Sequence, residues 1–198
     1  TLSSASDHRY ARGGGSKFAY DITWADSLLG AGQSFTVSGA LLRGDETMIF
    51  DGSAETDGSF RIFAGAGADT LYGGSGNDLI AGGLGGDVLY GRGGNDVFRL
   101  DSAADSTPAG KDWIGDFTAG DRIDLSRIDS DTLQAGNQAF GFIGKAGFGH
   151  QAGELRIEQM DGPIWLVQGD RDGDGLSDFE LVVALADSHS LSGADFIL

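Results

Sequence analysis

The 198-residue sequence contains no cysteine, so no disulfide can hold it, and only two prolines, Pro108 and Pro163. Lysine is nearly missing, with Lys17, Lys111 and Lys145 the only three. No run of eighteen apolar residues occurs, which excludes a membrane-spanning helix, and the opening TLSSASDHRYARGGGSKF lacks the apolar stretch of a secretory signal peptide. No long segment repeats its apolar residues at the helical period. Thirteen basic residues stand against thirty acidic ones, and the net charge of -17 argues against nucleic acid or an anionic membrane as partner and for cations or basic partners. The chain starts at Thr1 and runs into RGGGSK, a linker composition, so the expectation is a piece of a longer polypeptide.

What is present is glycine, thirty-five of them, together with short alternating segments. KFAYDITW, QSFTVSGALL, ETMIFDGS and SFRIF, within residues 17 to 63, read as strands separated by turns. From Ala64 a nine-residue period takes over: AGAGADTLY, GGSGNDLIA, GGLGGDVLY and GRGGNDVFR abut without a gap from 64 to 99. DWIGDF, DRIDLSRI, QAFGFIG, GELRIEQ, PIWLVQG and DFELVVALA follow, each rich in aromatic or β-branched residues. The whole chain reads as all-β.

In each nonapeptide the first six residues must turn tightly, where glycine can enter positive φ, and the last three suffice only for a short strand. Leu71, Ile80, Leu89 and Phe98 hold the eighth position and are expected to point inward. One inward side chain per strand is too little to offset the ordering of so many glycines, at roughly 1 to 2 kcal/mol of backbone entropy each. The sixth position is always acidic: Asp69, Asp78, Asp87 and Asp96. If successive repeats alternate between two sides of a coil, Asp69 stacks with Asp87 and Asp78 with Asp96, and the turns gather carboxylates and carbonyls. An all-oxygen donor set of this kind suits Ca²⁺ better than Mg²⁺ or zinc. Ala64 and Arg92 stand where glycines are expected, so those two turns should be atypical.

The array has the pattern of the calcium-binding RTX nonapeptide. The chain resembles the C-terminal region of RTX proteins, most closely the module of serralysin-type metalloproteases. The resemblance rests on the array, on DSAADSTPAGKDWIGDFTAGDRIDLSRI after it, on AGELRI with GDRDGDGLSDFELVV, and on the ending SGADFIL. It covers about residues 60–198 and implies a right-handed parallel β-roll over residues 60–130 and a β-sandwich-like cap over 131–198, while residues 1–59, outside it, are expected only as a β-rich leading segment. It implies several calcium ions held by the repeat turns, with Gly65, Gly67, Asp69, Gly73, Gly74, Gly76, Asp78, Gly82, Gly83, Gly85, Asp87, Gly91, Arg92, Gly94 and Asp96 contributing. Asp105, Asp112 and Asp121 match the aspartates that close the last sites. The resemblance further implies type I export through a C-terminal signal read by a transporter, an extracellular location, and folding when calcium arrives outside the cell. A site held at tenfold its dissociation constant contributes about 1.4 kcal/mol, so four or five coupled sites reach the stability of a domain. A monomeric module that neither inserts in membranes nor binds nucleic acid is expected.

The His-Glu-x-x-His motif of the proteases is absent, and His8, His150 and His189 are too scattered to suggest zinc, so no catalytic residue is expected. Two other readings stay open: a surface adhesin or polysaccharide-binding module with structural calcium, and the accessory part of a hydrolase or epimerase. GDRDGDGLSDFE places Asp170, Asp172, Asp174 and Asp178 at positions 1, 3, 5 and 9 of an EF-hand-like loop, but Leu181 stands at position 12. Either it binds calcium or it is an acidic hairpin loop. Arg43 to Asp45 spell RGD, read as a turn opening a strand, and Trp24, Trp113 and Trp165 as core or cap residues, with a carbohydrate-stacking platform as second reading.

Overall fold

The computed structural model describes residues 8–11, 18–25 and 29–198. Among these residues sixteen strands form two sheets: β1 His8–Ala11, β2 Phe18–Thr23, β3 Ser34–Ser38, β4 Thr47–Asp51, β5 Ser59–Phe63, β6 Thr70–Tyr72, β7 Leu79–Ala81, β8 Val88–Tyr90, β9 Val97–Arg99, β10 Asp112–Phe117, β11 Arg122–Asp124, β12 Gly141–Gly144, β13 Glu154–Gln159, β14 Ile164–Asp170, β15 Phe179–Leu185 and β16 Phe196–Ile197. Among the described residues there is no α-helix, and no helix long and apolar enough to cross a membrane.

From β2 to β11 consecutive strands alternate between the sheets. β2, β4, β6, β8 and β10 lie side by side in the first, and β3, β5, β7, β9 and β11 in the second. Every neighbouring pair among these is parallel, so the chain winds as a two-sided roll. A period of nine produces this directly, because six residues reverse the chain and three cross one side. Two repeats therefore return it to the same sheet, Leu71 facing Leu89 and Ile80 facing Phe98.

These four eighth-position side chains are buried, as the sequence requires. Before the nonapeptides the coils are wider. β4 buries both Met48 and Phe50, and β5 buries Phe60 and Ile62. Trp24 packs against Phe35 and Phe60, with ring centroids 4.5 and 5.4 Å apart, closing the wide end with aromatic rings. Strands β2, β3 and β4, within the 1–59 expected as a leading segment, thus belong to coils of the same roll. Their strands pair in register with the nonapeptide strands, β4 with β6 and β5 with β7.

The C-terminal cap extends the same two layers. β15 adds parallel to β10 at the end of the first sheet, β14 and β13 follow antiparallel, and β12 adds parallel to β13. β16 adds to the second sheet beyond β11, pairing Phe196 with Ile123. It is preceded by a 3-10 turn, Gly193–Asp195, in which the Ser192 N–H donates to Asp195 Oδ2 at 2.7 Å and the Ala194 N–H donates to Ser192 Oγ.

Candidate metal centre

The sixth-position aspartates form two columns, one along each edge of the roll. Asp69 Oδ1 accepts the Met48 N–H at 2.6 Å, Asp87 Oδ1 accepts the Asp69 N–H at 2.8 Å, and Asp112 Oδ1 accepts the Asp87 N–H at 2.9 Å. Opposite, Asp78 Oδ1 accepts the Phe60 N–H at 2.6 Å, Asp96 Oδ1 the Asp78 N–H at 2.8 Å, and Asp121 Oδ1 the Asp96 N–H at 2.8 Å. Each carboxylate therefore ties its own coil to the preceding one through one oxygen. Asp112 and Asp121 continue the columns, and Asp105 joins the first of them, with its Oδ2 accepting the Asp101 and Ser102 N–H groups.

The second oxygens differ. Asp69 Oδ2 accepts the Gly65 N–H at 3.1 Å and Asp78 Oδ2 the Gly74 N–H at 2.7 Å. Asp87 Oδ2 is buried without a hydrogen-bond partner. Burial pushes the Asp87 and Asp96 carboxyls up to about 8 and Asp112 up to about 9, with neighbouring carboxylates adding to the rise. Asp78 is pushed to about 6, and Asp69 and Asp105 rise for the same first reason. Among the described residues no lysine, arginine or histidine forms an ion pair with a column aspartate. Buried carboxylates that form no ion pair, with an orphaned oxygen at Asp87, beside turn carbonyls, fit a hard divalent cation such as Ca²⁺.

The array's glycines are required mainly by close approach. Within it only Gly83, Gly85 and Gly94, with Arg92 at φ 74°, have positive φ. A Cβ at Gly67 would overlap the Glu46 carbonyl oxygen of the preceding coil, and one at Gly82 would overlap its own repeat's Asp87 carboxylate. Gly67→Ala is accordingly expected to cost about 3 kcal/mol or more through overpacking against backbone, measured by denaturant unfolding with calcium present. Gly147→Ala, where a Cβ meets nothing within 4 Å, serves as the neutral control.

Arg92 replaces a glycine because something else holds its turn. The Gly91 and Arg92 N–H groups donate to Asp116 Oδ1 and Oδ2 at 3.0 and 2.9 Å, and the Arg92 guanidinium lies over the Tyr72 ring. Asp116, itself raised by burial, also adds to the rise of Asp96. It was not among the expected site residues, although the DWIGDF segment that carries Asp112 also carries it. Glu55 was missed as well. It is buried, its Oε1 accepts the Asp57 and Gly58 N–H groups, and its charge adds to the rise of Asp78.

In the late acidic loop the carboxylates of Asp170, Asp172 and Asp174 lie within 4.8 Å of one another. Asp170 accepts the Gly173 and Gly175 N–H groups at 2.7 and 2.9 Å. Asp178 is outside this group, its Oδ2 accepting the Arg171 N–H at 2.6 Å. Glu180, one residue before Leu181 at the twelfth position, accepts from Ser177 and Gln168 and pairs with Lys111 at 3.0 Å. The RGD stretch is a turn before β4, with the Arg43 N–H donating to Glu46 Oε2.

Comparison with known proteins gives the following. Residues 43–198 match the family model described as peptidase M10 serralysin C terminal. The solution structure of the AlgE6R3 subunit from the Azotobacter vinelandii mannuronan C5-epimerase is similar at 27% identity and a TM-score of 0.45, covering 87% of this chain and 82% of that one. The AlgE6R2 subunit of that epimerase is similar at 23% identity and a TM-score of 0.43, covering 88% of this chain and 90% of that one. Comparison with curated proteins gives no match.

Proposed function

The chain belongs to the peptidase M10 serralysin C-terminal family, as its non-catalytic RTX roll module, and from that premise we propose that it is a calcium-triggered folding and export module of a secreted protein. The observation that carries the reading is the pair of aspartate columns, buried and without cationic partners. Asp69, Asp87, Asp105 and Asp112 would hold calcium on one edge, and Asp78, Asp96 and Asp121 on the other. Carbonyls of the turns containing Gly65, Gly67, Gly73, Gly74, Gly76, Gly82, Gly83, Gly85, Gly91, Arg92 and Gly94 would complete the sites. Asp170, Asp172 and Asp174 would hold a further ion, with Asp178 bracing their loop through Arg171.

Calcium, when bound, supplies the positive charge that the columns lack. The chain's residues do the rest: Oδ1 of each aspartate fixes the spacing of neighbouring coils, and glycine lets their backbones approach. Where free calcium lies far below dissociation constants of about 10⁻⁴ to 10⁻³ M, the acidic columns repel and the chain stays open. Outside the cell binding and folding become one process.

The folded position of the C-terminus is consistent with a signal used before folding. Asp195 and Phe196 are buried, and Phe196 packs on Phe142 with ring centroids 5.6 Å apart. Deleting Asp195 to Leu198 is expected to abolish export from a cell carrying a type I transporter. Circular dichroism of the purified variant with calcium tells a lost signal from a lost fold: retained β signal with unchanged export removes the transporter role.

A further inference from the structure

The third and fourth repeats build the same turn on opposite edges of the roll. Gly83 and Gly85 in one have φ of 91° and 131°, and Arg92 and Gly94 in the other have 74° and 110°. Each turn bonds to the coil before it through backbone, the Leu84 N–H donating to the Gly65 carbonyl and the Gly93 N–H to the Gly74 carbonyl, both at 3.0 Å. Each also gives the N–H of its aspartate to the next carboxylate of its column, Asp87 to Asp112 and Asp96 to Asp121. With the backbones matched, the two turns differ in what else holds them.

The turn at 91–96 is braced three more times by side chains. Asn77 Oδ1 accepts the Asn95 N–H at 2.8 Å, and Asp116 accepts the Gly91 and Arg92 N–H groups at 3.0 and 2.9 Å. Among the described residues the turn at 82–87 has no counterpart of these braces. Ala68 stands before Gly86 at the spacing of Asn77 before Asn95, and has no acceptor to offer. The unbraced turn is also the one that holds the orphaned Asp87 Oδ2. All three braces engage backbone N–H groups, so the carbonyls of the turn stay free for a cation. They fix the turn before the cation enters, and a preorganised site gives up less conformational freedom on binding.

We infer that the two edges hold calcium unequally: the edge of Asp78, Asp96 and Asp121 tightly, and the edge of Asp69, Asp87 and Asp112 weakly. Asn77 and Asp116 are the positioning residues that make the difference. The inference rests on the calcium reading above. Falling calcium then empties the first edge while the second still ties the coils together.

Calcium release from the loaded chain, followed by stopped flow against a fluorescent chelator, tests this. Two phases from the columns are expected, the slower from the braced edge, because affinity differences between like sites lie mostly in the off-rate. Asn77→Ala speeds the slower phase about threefold or more, the effect of one lost hydrogen bond, and leaves the faster one unchanged. Ala68→Asn places an amide oxygen where it can accept the Gly86 N–H, and slows the faster phase by a similar factor. Any phase from the loop at 170–174 is moved by neither. A general loosening of the fold would shift both column phases together, and circular dichroism in calcium verifies that each variant is folded. Both positions are exposed, and either variant alone decides the matter if the other does not fold. A single column phase, or two phases indifferent to these variants, overturns the inference and leaves the calcium reading standing. A chain that releases no calcium overturns both.

Discussion

Chelation of calcium with EGTA at pH 8 is expected to abolish the native β signal of the whole chain, and lowering the pH of that metal-free sample to about 4 is expected to restore part of it. Three carboxyls determine the sign. Without metal, burial holds Asp87 and Asp96 at about 8 and Asp112 at about 9 in the folded chain, against 3.8 when unfolded. The folded state then binds more protons than the unfolded one between about pH 4 and 9, so metal-free stability is fully present below that window and falls as pH rises through it. At one pKa unit per 1.36 kcal/mol, the loss is on the order of several kcal/mol for each group, comparable with the stability of a domain. With calcium bound the slope reverses, because protons compete with the metal for ionised carboxylates and acid releases it. Circular dichroism across pH 4 to 9, with and without EGTA, separates the two curves. A metal-free chain that keeps its β signal and a sharp melting transition at pH 8 overturns the coupling of binding to folding.

Asp87→Asn is expected to move stability in opposite directions in the two states. The amide keeps an oxygen to accept the Asp69 N–H while removing a buried charge whose Oδ2 has no partner. The metal-free variant should therefore be more stable than the parent at pH 8, because a neutral amide escapes the desolvation that burial imposes on the carboxylate. In calcium the same change removes an anionic donor, and the midpoint of a calcium-folding titration is expected to rise at least about tenfold, which corresponds to about 1.4 kcal/mol. Asp87→Ala loses the acceptor too and strands the Asp69 N–H between coils, so it is expected to be less stable than Asp87→Asn both with and without calcium. An unchanged calcium midpoint in Asp87→Asn would remove this aspartate from the metal site.

The parts of the site that the sequence displays are those that repeat. Asp69 and Asp87 are eighteen residues apart, as are Asp78 and Asp96, and both pairs meet through backbone N–H groups. A local period of nine carries that information because each coil is built like its neighbours. Asp112 and Asp121 sit twenty-five residues beyond their partners, past the insertion at 100–111, so they were placed only through the family resemblance. Asp116 and Glu55 belong to no repeat. Their part in the site depends on which backbone N–H groups lie opposite them, and nothing nearby in the chain announces that.

The sequence by itself determined an all-β chain without disulfides, with inward residues at Leu71, Ile80, Leu89 and Phe98 and an acidic residue at every repeat turn. Those properties are local, set by a short period and by the chemistry of glycine and aspartate. Only the tertiary structure decided where the roll begins, that Asp178 stands apart from Asp170, Asp172 and Asp174, and that Phe196 closes the second sheet against Ile123. It also decided that glycine serves close stacking more than turn conformation. Each of these depends on which distant strands meet. That choice is made by the fit of side chains across the roll and by parallel register, which segments far apart in sequence settle only when they are packed together.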